Sequence, residues 1–289
     1  MNLNLPPSTH YEELHKRFKL YSQTKTPIIL MGCNGSYKDQ LLSDWIEKGN
    51  YEFSTIDCLA IQNKEDWNLM WKKALDSKIS INLQSIDKIP IQIQYILFKE
   101  LQNLKTSKSI PWIVSLADSK IREMVSKKSF LEDLFIMLGA AILEIQSIHY
   151  RKKEILQIAK YYLDHYSKIY KKRLKYFDDL VIEFIIKFDY PGDLEQLNNL
   201  IHNSVVNGKG RTITIKDIPT SLYEDSRTIF SRNLTIVPGV RISEYEKEII
   251  KLNLKLNNGN REKTAKILDI SLRTLYRKID EYNLKDSIF

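Results

Sequence analysis

Two stretches of this chain carry residue types at spacings that could do chemistry. In the first, Arg273 and Arg277 stand four residues apart, as do Thr274 and Lys278, between Ser271 and Ile279. On a helix such pairs project in nearly the same direction, giving a basic, hydrogen-bonding face. A helix fits the DNA major groove, where an arginine fork can donate to both acceptors of guanine. Ser271, Arg273, Thr274, Arg277 and Lys278 are therefore the candidate base- or phosphate-contacting set, with Lys263 and Lys266 as candidates for the DNA backbone. A solvated basic face on a small helical bundle would carry the same charges, so charge alone does not separate the two.

The second stretch, Gly32-Cys33-Asn34-Gly35-Ser36-Tyr37-Lys38-Asp39, follows the apolar run Ile28–Met31. A phosphate-binding loop needs glycines, so that backbone N–H groups can turn around the phosphates, and a lysine for the outer ones. Gly32, Gly35 and Lys38 fit. Tyr37, immediately before the lysine, puts a side chain where the backbone should approach phosphate. A solvent-facing lysine at a helix start would equally explain Lys38.

The elements that must position the first set read as three capped helices. Ser243 with Glu246 has capping-box spacing, and Tyr245, Ile249, Leu252 and Leu256 recur as one apolar face. Gly259 is a left-handed stop. Asn260 can cap a second helix with Ala265 and Leu268 inward. Ser271 can cap a third whose buried stripe would be Leu272, Leu275, Tyr276 and Ile279. This capped helix-turn-helix spacing is what favours DNA over a bland basic face.

The loop belongs to a different pattern. Apolar runs at Ile28–Met31, Tyr51–Cys58, Ile79–Leu83, Ile110–Leu116 and Ala140–Ile145 read as strands. They alternate with helical patterns at Ser8–Tyr21, Asp39–Lys48, Lys64–Leu75, Pro90–Leu104 and Phe130–Leu138. That alternation predicts an α/β fold with a parallel sheet, and ligands bind at the carboxyl ends of strands in such sheets. From Arg151 to Val206 the pattern is helical throughout, broken at Tyr190-Pro191-Gly192-Asp193. The predicted organisation is an α/β domain over 1–149, a helical lid over 150–220, a linker over 221–240 and a helix-turn-helix domain over 241–289.

Composition sets outer bounds. The 289 residues include 44 Lys and Arg against 36 Asp and Glu, a formal charge of +8, which suits a polyanionic partner. Cys33 and Cys58 have neither metal-ligand nor disulfide spacing, and His149, His165 and His202 are scattered. With no membrane-length apolar run and no signal-peptide pattern, the expected location is the cytoplasm, without membrane contact. The clusters Arg151-Lys152-Lys153 and Lys171-Lys172-Arg173 read either as DNA-flank contacts or as solvated faces.

The run from Asn258 to Ile279 resembles the Fis-type helix-turn-helix that closes sigma-54-dependent (NtrC-like) transcription activators. Asp269 stands for the usual turn glycine, and Leu272 for a residue that is often basic or polar. Residues from about Tyr11 to Pro219 resemble the AAA+ (P-loop NTPase-like) domain and lid of the same activators. The resemblance is carried by Phe53-Ser54-Thr55-Ile56-Asp57-Cys58, by the run from Ile81 to Pro90, by Phe130–Leu138 and by Tyr190–Leu197. It implies positions for ATP chemistry that this chain fills differently. Gln84 and Ser85 replace the Walker B carboxylates needed for magnesium and water. Leu131 and Met137 replace arginines, Glu195 replaces the lid's sensor arginine, and Asp118 replaces the sensor asparagine. Asp87 is expected instead to cap the helix from Pro90.

The family's sigma-contacting loop is absent too, since Leu59–Lys78 reads as one helix around core anchors Trp67 and Trp71. No receiver domain is expected. The sequence therefore predicts a DNA-binding regulator rather than an enzyme, with no cofactor required, although nucleotide binding without hydrolysis stays open. The resemblance also implies a homodimer or higher oligomer on double-stranded DNA. The AAA+-like part would serve self-association or contact with an active AAA+ homologue or RNA polymerase. An ATP-binding, sigma-54-interacting regulator and a non-catalytic partner or inhibitor of such a homologue are the alternatives.

Overall fold

The five apolar runs form one parallel sheet in the computed structural model, which describes residues 5–104, 111–219, 241–257, 259–282 and 284. The strands are β1 (Ile28–Met31), β2 (Phe53–Asp57), β3 (Ser80–Gln84), β4 (Ile113–Ala117) and β5 (Ala141–Glu144), in the order β2-β3-β4-β1-β5. Ile28 of β1 lies opposite Val114 on one side and Ala141 on the other. All four residues of β1 are buried, as an interior parallel strand covered on both faces must be. The candidate phosphate loop leaves its carboxyl end.

Helices α1 (Thr9–Thr24), α2 (Lys38–Gly49), α3 (Lys64–Asp76), α4 (Ile91–Leu104), α5 (Ile121–Ser126) and α6 (Glu132–Leu138) connect and cover the strands. Trp67 and Trp71, stacked with ring centroids 5.1 Å apart, pack with Ile81, Leu83, Leu97 and Leu134 in the main core, the anchoring role expected of them. The stretch 59–78 is not one helix, however. It opens with a 3-10 turn at Cys58–Ala60, and α3 starts only after Asn63, which with Asp66 forms a reciprocal cap. That cap satisfies the first N–H groups and fixes the start.

Helices α7 (Lys152–Ile169), α8 (Asp179–Lys187) and α9 (Asp193–Asn207) make the lid. The expectation of helix throughout 151–206 is corrected: β6 (Tyr176–Phe177) interrupts it and pairs in parallel with β7 (Thr212–Ile213). A two-residue strand is too short to leave a periodic signature. Two of the basic residues expected on a solvated face or a DNA flank are internal braces. Lys172 donates to the carbonyls of Val205, Val206 and Gly208, closing the end of α9. Arg151 is buried, donating to Glu154 at 2.6 Å and to Ser8 at 2.6 Å, and so ties α7 to the cap of α1.

Glu154 also accepts from Ser8 and Thr9. Burial alone would raise its pKa, but the bonds from Thr9, Arg151 and Ser8 and the Arg151 charge outweigh burial and hold the carboxyl at about 2. A carboxylate whose folded pKa is depressed adds stability that is present above its unfolded value and is lost as the pH falls through the folded one. Melting temperature is therefore expected to drop as the pH goes from 4.5 towards 2, and Glu154→Gln should flatten that part of the profile while lowering stability at neutral pH. A thermal-denaturation series across that range checks both.

The chain divides into two compact units, Met1–Tyr223 and Glu224–Phe289. The second contains α10 (Ile242–Leu256), α11 (Arg261–Ile267) and α12 (Leu272–Glu281) around a core of Ile250, Leu254, Ala265, Leu275, Ile279 and Leu284. The predicted linker, 221–240, lies outside the described residues.

Candidate nucleic-acid interface and the altered phosphate loop

The helix-turn-helix forms through the local signals expected of it. Gly259 takes φ +74°, and its N–H bonds to the Leu254 carbonyl at 2.8 Å, ending α10. Asn260 caps α11 by accepting from the Lys263 N–H at 3.0 Å, and Ser271 caps α12 by accepting from the Thr274 N–H at 3.0 Å. Asp269 supplies the left-handed turn residue, at φ +52°.

Two details of α10 depart from expectation. The helix already begins at Ile242, so Ser243 is inside its first turn and not its cap. Glu246 is drawn across to α12, where its carboxylate accepts from Lys278 at 2.7 Å and from the Tyr282 hydroxyl at 2.5 Å. The inward face is Ile250 and Leu254, whereas Leu252 is exposed. The side chain of Leu256 lies outside the described residues.

The same cross-link sets the rotation of α12. Lys278 is only 15% exposed and tied to α10, and the bond to Glu246 pushes its pKa up. Thr274 shares a hydrogen bond with Ser271 at 2.7 Å. Lys278 therefore leans towards α10, engaged by Glu246 and Tyr282 rather than free as expected. Arg273 and Arg277 remain exposed, and among the described residues neither forms an ion pair. Lys263 and Lys266 on α11 are exposed as well. The outward face of α12 is completed by Leu272 and Tyr276, which belong to the expected buried stripe but are 37% and 44% exposed. The Arg261 guanidinium lies 5.0 Å from the Tyr276 ring centroid, a favourable cation–π distance. Arg261 and Tyr276 were not legible as part of this face from charge spacing. The helical sequence 272, 273, 276, 277, 280 would have indicated Tyr276, whereas Arg261 reaches it from α11.

In the first unit, the loop after β1 is fastened to the lid. Gly35, at φ +81°, approaches so closely that an added Cβ would stand 2.1 Å from the Gly192 carbonyl oxygen. The Gly35 carbonyl accepts from the Glu195 N–H at 3.0 Å. The Cys33 thiol donates to buried Asp193 at 3.1 Å, and the same carboxylate accepts from the Ile148 N–H at 2.6 Å. Burial, with Asp193 close by, pushes the Cys33 thiol up to about 12. Gly32 is buried, and its N–H bonds to the Ala117 carbonyl.

Tyr37 has φ +58° at the start of α2, a conformation that costs a non-glycine residue roughly 1–2 kcal/mol. Its hydroxyl accepts from Asn198 at 2.9 Å, and Asn198 in turn accepts from Tyr166 at 2.8 Å, so the phenol bridges loop and lid. Burial pushes that phenol up to about 12, keeping it neutral. Lys38 donates to the Gly32 carbonyl at 3.2 Å.

Beyond the loop, Gln84 ends β3 and Ser85 follows at φ +53°. Asp87 does not cap α4 as expected. It sits in a 3-10 turn, Ile86–Lys88, which aims it at β4, and it accepts from the Asp118 N–H at 3.0 Å with Lys88 3.0 Å away. Asp118 accepts from the Lys120 N–H. Leu131 and Met137 pack against the sheet core. The arrangement can brace a lid against a sheet. It brings three carboxylates (Asp87, Asp118 and Asp193) to the side of the loop that follows β1.

Comparisons with known proteins agree with this architecture. Residues 149–233 match the AAA+ ATPase lid domain model, and residues 241–282 match that of the bacterial regulatory protein Fis family. The chain is 26% identical over 184 residues to the transcriptional regulatory protein ZraR of Salmonella typhi, covering 63% of this chain and 41% of the relative. It is 27% identical over 218 residues to the regulatory protein AtoC of Escherichia coli, covering 70% and 46%. The chain thus spans about half the length of the curated relatives it matches. Among solved structures it resembles NtrX from Brucella abortus in complex with ATP, with TM-score 0.62, 17% identity and coverage of 98% of this chain and 69% of that one. The chain thus carries an AAA+ lid followed by a Fis-type helix-turn-helix, and is similar in sequence to bacterial transcriptional regulatory proteins.

Proposed function

We propose that this protein is a sequence-specific DNA-binding transcription regulator whose AAA+-like unit acts without turning over ATP. The observation that carries the proposal is the exposed pair Arg273 and Arg277 on a helix capped by Ser271 inside a Fis-type helix-turn-helix. That pair can read base edges in the major groove, while Lys263 and Lys266 neutralise backbone phosphates. Ser271 and Thr274 are engaged with each other, and their role is to position the helix. Lys278 acts by tying α12 to α10.

The absence of turnover is supported by the side chains where ATP chemistry would occur. Gln84 and Ser85 carry no charge for magnesium, Leu131 and Met137 offer no cation to a transferring phosphoryl group, and Tyr37 joins loop to lid. No cofactor is needed for this function. Gly32, Gly35 and Lys38 serve as structural pieces of the loop.

A homodimer is favoured by α10, where Ile242 and Leu252 are exposed and Ile249 half-buried at spacings of seven and three residues. Such a stripe suits a second copy of the same helix. The AAA+-like unit would then add further self-association, or a surface for an active AAA+ homologue or RNA polymerase.

Sequencing the DNA bound by this chain in cells tests the proposal. The expected motif has two-fold symmetry with half-sites about one helical turn apart, since a symmetric dimer places its recognition helices at that spacing. Enrichment without a dyad would remove the dimer, and no enriched sites would remove sequence-specific binding itself.

A further inference from the structure

Five exposed positions, 272, 273, 276, 277 and 280, run along the outward face of α12, and two of them are apolar or aromatic. Leu272, its first residue, and Tyr276, one turn on, are both substantially exposed and lie beside Arg273 and Arg277. The fold does not need them there, because Leu275 and Ile279 supply the helix's contacts with the core. Tyr276 is nevertheless held, with the Arg261 guanidinium 5.0 Å from its ring centroid, which brings a third arginine to this face from the start of α11.

We propose that Leu272 is a specificity-determining residue which, backed by Tyr276, meets the 5-methyl group of a thymine in each half-site. This rests on the DNA-binding role proposed for α12. Thymine is the base that presents a methyl group in the major groove, whereas guanine and cytosine present hydrogen-bonding atoms at the corresponding edge. Leucine has no donor or acceptor, so a guanine or cytosine there would lose water without gaining a partner. The neighbouring arginines keep their preference for guanine. The half-site is therefore mixed: guanines under Arg273 and Arg277, and a thymine beside the amino end of α12. Arg261, stacked on Tyr276, contacts a flanking phosphate and carries no sequence preference.

The test uses the full chain and randomised duplexes. Wild type should enrich a thymine at one position per half-site. Replacing that thymine by uracil, which lacks only the methyl group, should weaken binding by about fourfold, the worth of burying one such group. Leu272→Ala should lose both the thymine preference and the uracil effect at that position while keeping the guanines. Leu272→Arg should move the preference there to guanine. Since Leu272 is exposed, these variants should keep the wild-type melting temperature.

If sites are enriched but thymine and uracil bind alike at every position, or Leu272→Ala retains the preference, Leu272 does not read the methyl group and the DNA-binding proposal stands. If no sequence is enriched by any of the three proteins, the DNA-binding proposal falls and this one with it.

Discussion

Changing Arg273 and Arg277 together to alanine is expected to weaken binding to the operator by about a hundredfold or more, with no loss of folded protein. A good bidentate base contact is worth about 1–3 kcal/mol of discrimination, and about 1.4 kcal/mol is a factor of ten in affinity, so losing two such contacts gives that order. Both side chains are exposed and without ion pairs among the described residues, so their removal leaves the core of Ile250, Leu254, Leu275 and Ile279 as it was. Titration of a labelled operator duplex at fixed salt measures the effect, and the melting temperature provides the control. Lys263→Ala with Lys266→Ala should behave differently. Affinity should fall on all duplexes alike, and the dependence on log salt should flatten by about 0.9 for each phosphate no longer neutralised. Equal affinity for operator and random DNA in the wild type would remove Arg273 and Arg277 from base readout.

Leu275→Ala is expected to unfold the helix-turn-helix while leaving the first unit folded. Leu275 is fully buried and shares its core with Ile250, Leu254, Ala265, Ile279 and Leu284, flanked by the partly buried Leu268, Ile270 and Tyr282. Cutting leucine to alanine in a core costs about 2–5 kcal/mol, and a domain of this size rarely holds more than about 3–5 kcal/mol in a single core. Hydrogen exchange reads the outcome directly. Protection of amides in α10, α11 and α12 should vanish, while amides of β1 and β4 keep theirs. DNA binding should disappear as completely as in the double arginine variant, but for a different reason, which the exchange pattern reveals. Protection retained in α12 would mean that the core is less dependent on Leu275 than its burial indicates.

Local signals were legible in the sequence and long-range ones were not. An uninterrupted apolar run identifies β1 because both sheet faces cover it. Asn260, Ser271 and Gly259 could be placed because caps and left-handed stops act within a few residues. The rotation of α12 was not legible, since it depends on Lys278 meeting Glu246, 32 positions away. Without that bond, 273, 274, 277 and 278 look like one outward face. In α10, Ile249 with Leu252 and Ile250 with Leu254 fit a helical period equally well, and only packing against Ala265 and Leu275 chooses between them. Likewise Tyr37 could be read as damage to a phosphate loop, but not as a bridge, because its partner Asn198 is 161 positions away. Arg151 shows the same limit: in sequence it is one of three basic residues, and in the fold it is a buried tie between α1 and α7.

Steady-state phosphate release by the purified full chain, with saturating magnesium-ATP and its selected operator present, tests most directly whether the AAA+-like unit has ceased to be an ATPase. The expected result is a rate equal to that of Lys38→Ala and to the buffer blank, under conditions where both proteins bind the operator with equal affinity. Turnover above the blank that Lys38→Ala abolishes would contradict it, and would make Gly32, Gly35 and Lys38 a working phosphate loop despite Tyr37.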